Sequence, residues 1–180
     1  MRLETERLIL REFEDNDWTA VLAYQSNPLY LRYYPWTERI PGNVRVFVNM
    51  FLDWQRERPR TKFQLAVVPK EDKRLIGNCG IRINNMELRE ANIGYELDNA
   101  FWGKGYATEA AGAILRFGFE ELGMHRIYAS TLAVNKGSVR VLEKSGMRME
   151  AHELEKEFIK GRWHDSLTFA MLDHEWSMAL

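Results

Sequence analysis

The chain has 180 residues, 46% of them hydrophobic and 28% charged, with 25 Lys+Arg against 26 Asp+Glu for a formal net charge of −1. Those figures describe one ordinary globular domain over residues 1–180 and exclude a disordered chain, a collagen and a binder of phosphate backbones that needs a basic excess. The single cysteine, Cys79, excludes an intramolecular disulfide framework and a multi-thiolate zinc site; no run nears the ~20 apolar residues of a membrane span, and residues 1–11 carry no secretory h-region, so the sequence reads as soluble and cytoplasmic.

In chain order, residues 7–11 read as a short strand. Asp15 or Asp17 caps a helix carrying Trp18, Val21, Leu22 and Tyr24. Residues 27–42 are aromatic and irregular. Asn43 caps a second helix, whose Val44, Phe47, Val48, Phe51 and Leu52 recur at spacings of three and four. Strands follow at 63–68, at 74–83 (broken by Gly77 and Gly80) and at 91–97. A helix spans 106–122 and ends at Gly123. Residues 126–132 form a strand, 138–145 a short helix ended by Gly146, and the tail two strands, 154–159 and 163–172, turning at Lys160, Gly161 and Arg162. No linker, repeat or low-complexity tract interrupts this order. It is a mixed α/β arrangement and not the strict alternation of a doubly wound sheet.

The segment from Ile93 to Ala110 carries the most chemistry. A strand runs into a loop with glycine at 103 and 105, and the loop opens a helix. Glycines let backbone N–H groups approach an anion closely, and a helix N-terminus adds unpaired N–H groups and a positive dipole end. Three phosphate ligands compete for such a loop. A Walker loop needs Ser or Thr after Gly103-Lys104, where Gly105 stands, and a nicotinamide-type dinucleotide loop needs a third glycine where Thr108 stands. The third is acyl-coenzyme A, with its pyrophosphate on the loop and its pantetheine arm along the preceding strand.

Residues 100–105 (Ala-Phe-Trp-Gly-Lys-Gly) resemble motif A of the GNAT N-acetyltransferase superfamily, Gln/Arg-x-x-Gly-x-Gly/Ala, with Ala100 at the leading position. Residues 5–11, 101–110, 135–147 and 161–166 resemble, in order and nearly end to end, segments of its RimJ/RimL-like branch, which acetylates ribosomal-protein termini. The resemblance implies a single-domain fold with a mostly antiparallel sheet of six or seven strands, splayed between the fourth and fifth, and about four helices. It implies acetyl-CoA as co-substrate, no metal, and an amine acceptor, either a protein N-terminus or a small molecule. A non-catalytic acyl-CoA sensor would keep the loop and dispense with the reacting side chains.

By that resemblance Tyr95, Leu97, Trp102, Gly103, Lys104, Gly105, Tyr106, Ala107, Thr108, Asn135 and Ser138 bind the coenzyme. Glu157 matches the position of a glutamate base, and Glu96 is its rival. A backbone N–H near Glu96 or Leu97 serves the oxyanion, and Ser138 lies near the sulfur. From the residues alone, Asn135 is also a helix cap and either glutamate a solvated charge. The aromatic stretch from Tyr30 to Trp36 lines an acceptor pocket or packs as core. His125, His152, His164 and His174 show no metal-ligand spacing, and His164 with Asp165 reads as a local polar pair. Open β-edges leave room for a homodimer, and no feature points to nucleic acid or membrane.

Overall fold

The computed structural model describes residues 1–179. β1 (Arg2–Glu4) and β2 (Leu8–Glu12) form an N-terminal hairpin. Helices α1 (Trp18–Gln25), α2 (Pro28–Leu31) and α3 (Pro41–Arg56) lead to β3 (Lys62–Pro69), β4 (Gly77–Asn85) and β5 (Glu90–Leu97). α4 (Tyr106–Arg116), prolonged by a π-helical turn at Phe117–Glu121, crosses to β6 (Arg126–Leu132). α5 (Lys136–Lys144) leads to β7 (Arg148–Ile159) and β8 (Arg162–Leu172), and α6 (Asp173–Ala179) follows. The strands make one eight-stranded sheet in the order β1-β2-β3-β4-β5-β6-β8-β7. Every neighbouring pair is antiparallel except β5 with β6.

Mixed α/β architecture is thus as expected, with eight strands in place of six or seven and six helices in place of about four. The additions are β1, the one-turn α2 inside the irregular stretch, and α6. Boundaries shift for local reasons. Pro41 starts α3 with its fixed φ, so Asn43 lies within the first turn, its Oδ1 accepting from the Ile40 N–H at 3.4 Å. The helix from 106 keeps α geometry only to Arg116. β4 begins at Gly77, three residues later than expected, and β7 begins at Arg148, six residues earlier.

β3 shows how the layers form. Leu65 and Val67 pack with Ala110, Ile114 and Leu115 of α4, while Ala66 and Val68 pack on the other face with Val21, Val44, Val48 and Phe51. A strand covered on both faces reads as a continuous apolar run, as residues 65–68 do. The feature that positions the site is the parallel pair. The β5–β6 ladder pairs residues 90–92 with 126–128, next to backbone bonds from His125 and Arg126 to the Arg89 carbonyl. Beyond them the strands part, as the resemblance implied for the fourth and fifth of its count.

Candidate active site

The parting exposes backbone. The Asp98 N–H donates to the Ile76 carbonyl at 2.7 Å, in register with β5 against β4. Strand alternation then turns the N–H and C=O groups of Gly94 and Glu96 toward β4, and those of Ile93, Tyr95 and Leu97 toward the gap. The Leu97 carbonyl is taken by the Trp102 indole N–H at 2.9 Å, which folds the loop back on the strand. The Tyr95 amide and carbonyl and the Leu97 N–H remain on the open side.

The gap runs into the glycine loop. Gly103 has φ +75 and Gly105 φ +82, and a Cβ at Gly103 would meet no atom within 4 Å, so the cradle is open. Gly105 is the N-cap of α4 and supplies no side chain to it. The first-turn bond runs from the Glu109 N–H to the Gly105 carbonyl at 3.0 Å, which leaves the Tyr106, Ala107 and Thr108 N–H groups ahead of it without intrahelical acceptors. An anion at this point meets oriented donors and the positive end of the helix.

The loop is braced from the turn between β1 and β2. The Arg7 guanidinium donates to Glu109 Oε2 from Nε at 2.7 Å and to the Lys104 carbonyl from Nη1 at 3.0 Å, and it lies over the Tyr106 ring at 4.6 Å. The Thr5 hydroxyl and Arg7 N–H donate to Glu109 Oε1 at 2.5 and 2.8 Å. Burial raises the Glu109 carboxyl, but these donors and the Arg7 charge outweigh it and hold the group below its ordinary value. Lys104 turns its ammonium onto the Phe101 ring at 4.9 Å.

Twelve of the residues expected in the site line one cleft of about 700 Å³: Tyr95, Glu96, Leu97, Trp102, Gly103, Gly105, Tyr106, Ala107, Thr108, Asn135, Ser138 and Glu157. Lys104 is not among its lining residues. Arg140 and Lys144 of α5 line it as well. Asn135 is the N-cap of α5, its Oδ1 accepting from the Ser138 N–H at 3.2 Å. Ser138 Oγ lies 2.9 Å from the Tyr95 hydroxyl, which also reaches the Ser138 carbonyl at 3.1 Å. Burial pushes the Tyr95 phenol upward, so it keeps its proton and serves as a donor.

Glu96 and Glu157 differ sharply. Glu96 Oε1 accepts from the Tyr24 hydroxyl at 2.6 Å, Gln25 Nε2 at 2.8 Å and Asn78 Nδ2 at 2.6 Å. Its Oε2 accepts from the Tyr30 hydroxyl at 2.6 Å and the Tyr34 hydroxyl at 3.4 Å. A carboxylate offers about four lone-pair positions, so these donors saturate it. Burial first, then the Glu96 charge, pushes the Tyr24, Tyr30 and Tyr34 phenols upward. Tyr30 stacks on Tyr34 at 4.5 Å and Tyr34 on Trp36 at 4.7 Å, making an aromatic wall in which Tyr30, Tyr33 and Tyr34 reach the cleft. Glu157 stands exposed on β7 at the same cleft, its carboxylate without a hydrogen-bond partner among the described residues.

Sequence reasoning missed Tyr24, Gln25 and Asn78 around Glu96, and the clamp of Thr5 and Arg7 on Glu109. It also misassigned Asp165, which meets His152 Nε2 at 2.7 Å and not its neighbour His164. Cys79 is fully buried, and burial pushes its thiol up to about 12, which removes it as a nucleophile. Among the described residues no group of His, Cys, Asp and Glu is arranged to hold a metal, and no helix is long and apolar enough to cross a membrane.

Residues 7–148 match the family described as the acetyltransferase (GNAT) domain. An uncharacterized N-acetyltransferase of Bacillus subtilis, YnaD, is 34% identical over 98% of this chain and all of its own length. A ribosomal protein uS5-alanine N-acetyltransferase of Escherichia coli is 24% identical over 98% of this chain and 93% of its own. Among solved structures, a GNAT-family acetyltransferase from Bacillus anthracis superposes with a TM-score of 0.83 at 31% identity, covering 97% of this chain and 99% of that one. A spermidine N-acetyltransferase from Vibrio cholerae, solved with CoA and spermine, shares the fold with a TM-score of 0.80 at 22% identity, covering 96% and 99%.

Proposed function

Because the chain belongs to the GNAT acetyltransferase family, we propose that this enzyme moves the acetyl group of acetyl-CoA to a primary amine, the α-amine of a protein N-terminus, in the cytoplasm. The observation that carries the reading is the continuity of one cleft. It runs from the glycine loop along the open edge of β5 to a tyrosine wall, where Glu157 stands unpaired.

Acetyl-CoA supplies an acetyl group activated as a thioester. Gly103, Gly105 and the amides of Tyr106, Ala107 and Thr108 fit the pyrophosphate, with Arg140 and Lys144 adding positive charge. The Lys104 amide belongs to the same loop. The Tyr95 and Leu97 backbone fits the amide-bearing arm. Leu97, not Glu96, carries the N–H that faces the gap, so it is the donor to the carbonyl oxygen as negative charge develops. Glu157 accepts the proton of the attacking amine, directly or through water. The C–N bond forms, the C–S bond breaks, and the sulfur leaves as thiolate toward the Ser138 hydroxyl, which the Tyr95 phenol backs. Asn135 fixes Ser138 by capping α5. Glu96 orients the tyrosine wall and has no lone pair left to act as base. Positioning two substrates in one cleft supplies much of the remaining rate.

The charge of the cleft favours an acceptor with one amine. Glu157 is its free carboxylate and Glu96 is saturated. A polyamine would bring several cationic amines to that single open carboxylate. The uS5-alanine relative names an N-terminal acceptor for itself, and we carry that class to this chain.

The test is release of free thiol from acetyl-CoA with three acceptors: an alanine-initiated peptide, the same peptide with its α-amine blocked, and spermidine. Release with the free α-amine alone is expected. Release with spermidine alone overturns the acceptor assignment. No release from any acceptor, with acetyl-CoA still raising the melting temperature as mass action requires, supports a coenzyme sensor.

A further inference from the structure

The β7–β8 hairpin that carries Glu157 is irregular beside it. Glu153 faces Ser166 and Glu157 faces His164, so three residues of β7 stand against the single Asp165 of β8. The even excess preserves alternation, and Glu157 and Ile159 stay on the face of Ser166, all three lining the cleft. The detour requires left-handed backbone at Glu155, φ +48. For a residue with a Cβ that conformation is sterically disfavoured and persists only when something holds it.

Asp165 is what holds it. Its Oδ1 accepts the Glu155 N–H at 3.0 Å, at the apex of the bulge, and its Oδ2 meets His152 Nε2 at 2.7 Å, at the start. Lys156 Nζ and Glu153 Oε2 close the bulge at 2.5 Å. The Glu155 N–H first, then His152, keep the Asp165 carboxyl below its ordinary value. Beyond the bulge, the hairpin tip is fastened across the fold by the Lys160 ammonium, which donates to the Leu31 carbonyl of α2 at 2.8 Å.

We propose that Asp165 is a positioning residue for Glu157: by pinning the β7 bulge, it sets where the Glu157 carboxylate stands in the cleft. The inference rests on the acceptor-side role given to Glu157 above. A strand advances about 3.3 Å per residue, and a carboxylate must come within hydrogen-bond reach of the amine to take its proton. Relaxation of the bulge therefore moves Glu157 by enough to disable it. The Lys160 contact fixes the tip but not the register before it.

The experiment is a double-mutant cycle on acetyl transfer with Asp165→Ala, Glu157→Gln and their combination, with Asp165→Asn as the conservative variant. Glu157→Gln is expected to lower kcat by about 100-fold. Asp165→Ala is expected to lower kcat by about tenfold, with KM for acetyl-CoA changed less than about twofold. Asp165→Asn, whose amide oxygen still accepts the Glu155 N–H, recovers most of the rate. The double variant is no slower than Glu157→Gln, because the two act as one unit. If Glu157→Gln slows transfer and Asp165→Ala multiplies that loss, Asp165 acts elsewhere and the proposal is wrong while the role of Glu157 stands. Glu157→Gln at the wild-type rate overturns both. Should Asp165→Ala lose its fold, Asp165→Val, which suits a strand and likewise cannot accept the Glu155 N–H, carries the same comparison.

Discussion

The Tyr95 hydroxyl and the Ser138 hydroxyl lie 2.9 Å apart, joining β5 to the first turn of α5 across the opened sheet. The Tyr95 hydroxyl donates to Ser138, which leaves the Ser138 O–H as the donor where the strands part. A hydrogen bond to a charged group is worth about 1.5–3 kcal/mol, and about 1.4 kcal/mol is a tenfold change in rate. Ser138→Ala should therefore lower kcat roughly tenfold. Tyr95→Phe should do about the same, and the two together little more than either. Steady-state kinetics at saturating coenzyme reads this, and full activity in Ser138→Ala removes the pair from the chemistry.

Glu96 gathers Tyr24, Gln25, Tyr30 and Asn78, all within 2.8 Å, from α1, α2 and β4. Glu96→Gln replaces one acceptor oxygen with a donor facing hydroxyls that must then turn. The expected loss is about 2 kcal/mol, or roughly 4–8 °C in Tm for a chain of this size. Turnover measured well below the new Tm should fall far less than in Glu157→Gln. A larger loss of turnover in Glu96→Gln would exchange the roles of the two glutamates.

Gly103 and Gly105 separate strain from ligand binding. A Cβ at Gly103 meets nothing, whereas one at Gly105 lies 3.3 Å from Arg7 Nη2. Each alanine carries the positive-φ cost of roughly 1–2 kcal/mol. Gly103→Ala should fold with that loss alone and raise KM for acetyl-CoA about tenfold, because the new methyl occupies the cradle. Gly105→Ala should lose more stability, since it also presses on the Arg7–Glu109 clamp. Calorimetry with and without coenzyme distinguishes them; unaltered coenzyme affinity in Gly103→Ala moves the phosphate elsewhere.

Four of the seven tyrosines, Tyr24, Tyr30, Tyr34 and Tyr95, have phenols pushed above their ordinary value, each by burial first. A folded-state pKa above the unfolded one contributes stability that is fully present below the unfolded value, about 10, and is lost as pH rises toward the folded value. Stability should thus fall above pH ~10, and these four should ionise only with unfolding. Phenolate absorbance followed through an alkaline titration, with and without denaturant, tests it. Smooth ionisation of all seven tyrosines in the folded protein would contradict it.

Legibility in the sequence followed the range of the interactions. The loop was readable because Gly103 and Gly105 are local punctuation between a strand and a helix. Asn135 was readable as a cap because its partner, the Ser138 N–H, is three residues away. The start of β7 was not, because Arg148, Met149 and Glu150 are all exposed and give no alternation. The environment of Glu96 was hidden for a different reason. Tyr24 and Gln25 come from 72 and 71 residues upstream, and only the folded register brings them to β5. The Arg7–Glu109 clamp, 102 residues apart, is the same case.

The most direct test is the position of the transferred acetyl group on a peptide that offers both an N-terminal alanine and an internal lysine. The peptide is incubated with enzyme and acetyl-CoA, and its fragments are weighed by tandem mass spectrometry. The N-terminal assignment predicts one acetyl group, on the α-nitrogen, and its loss in Glu157→Gln. Acetylation on the lysine side chain instead, or undiminished α-acetylation in Glu157→Gln, would contradict it.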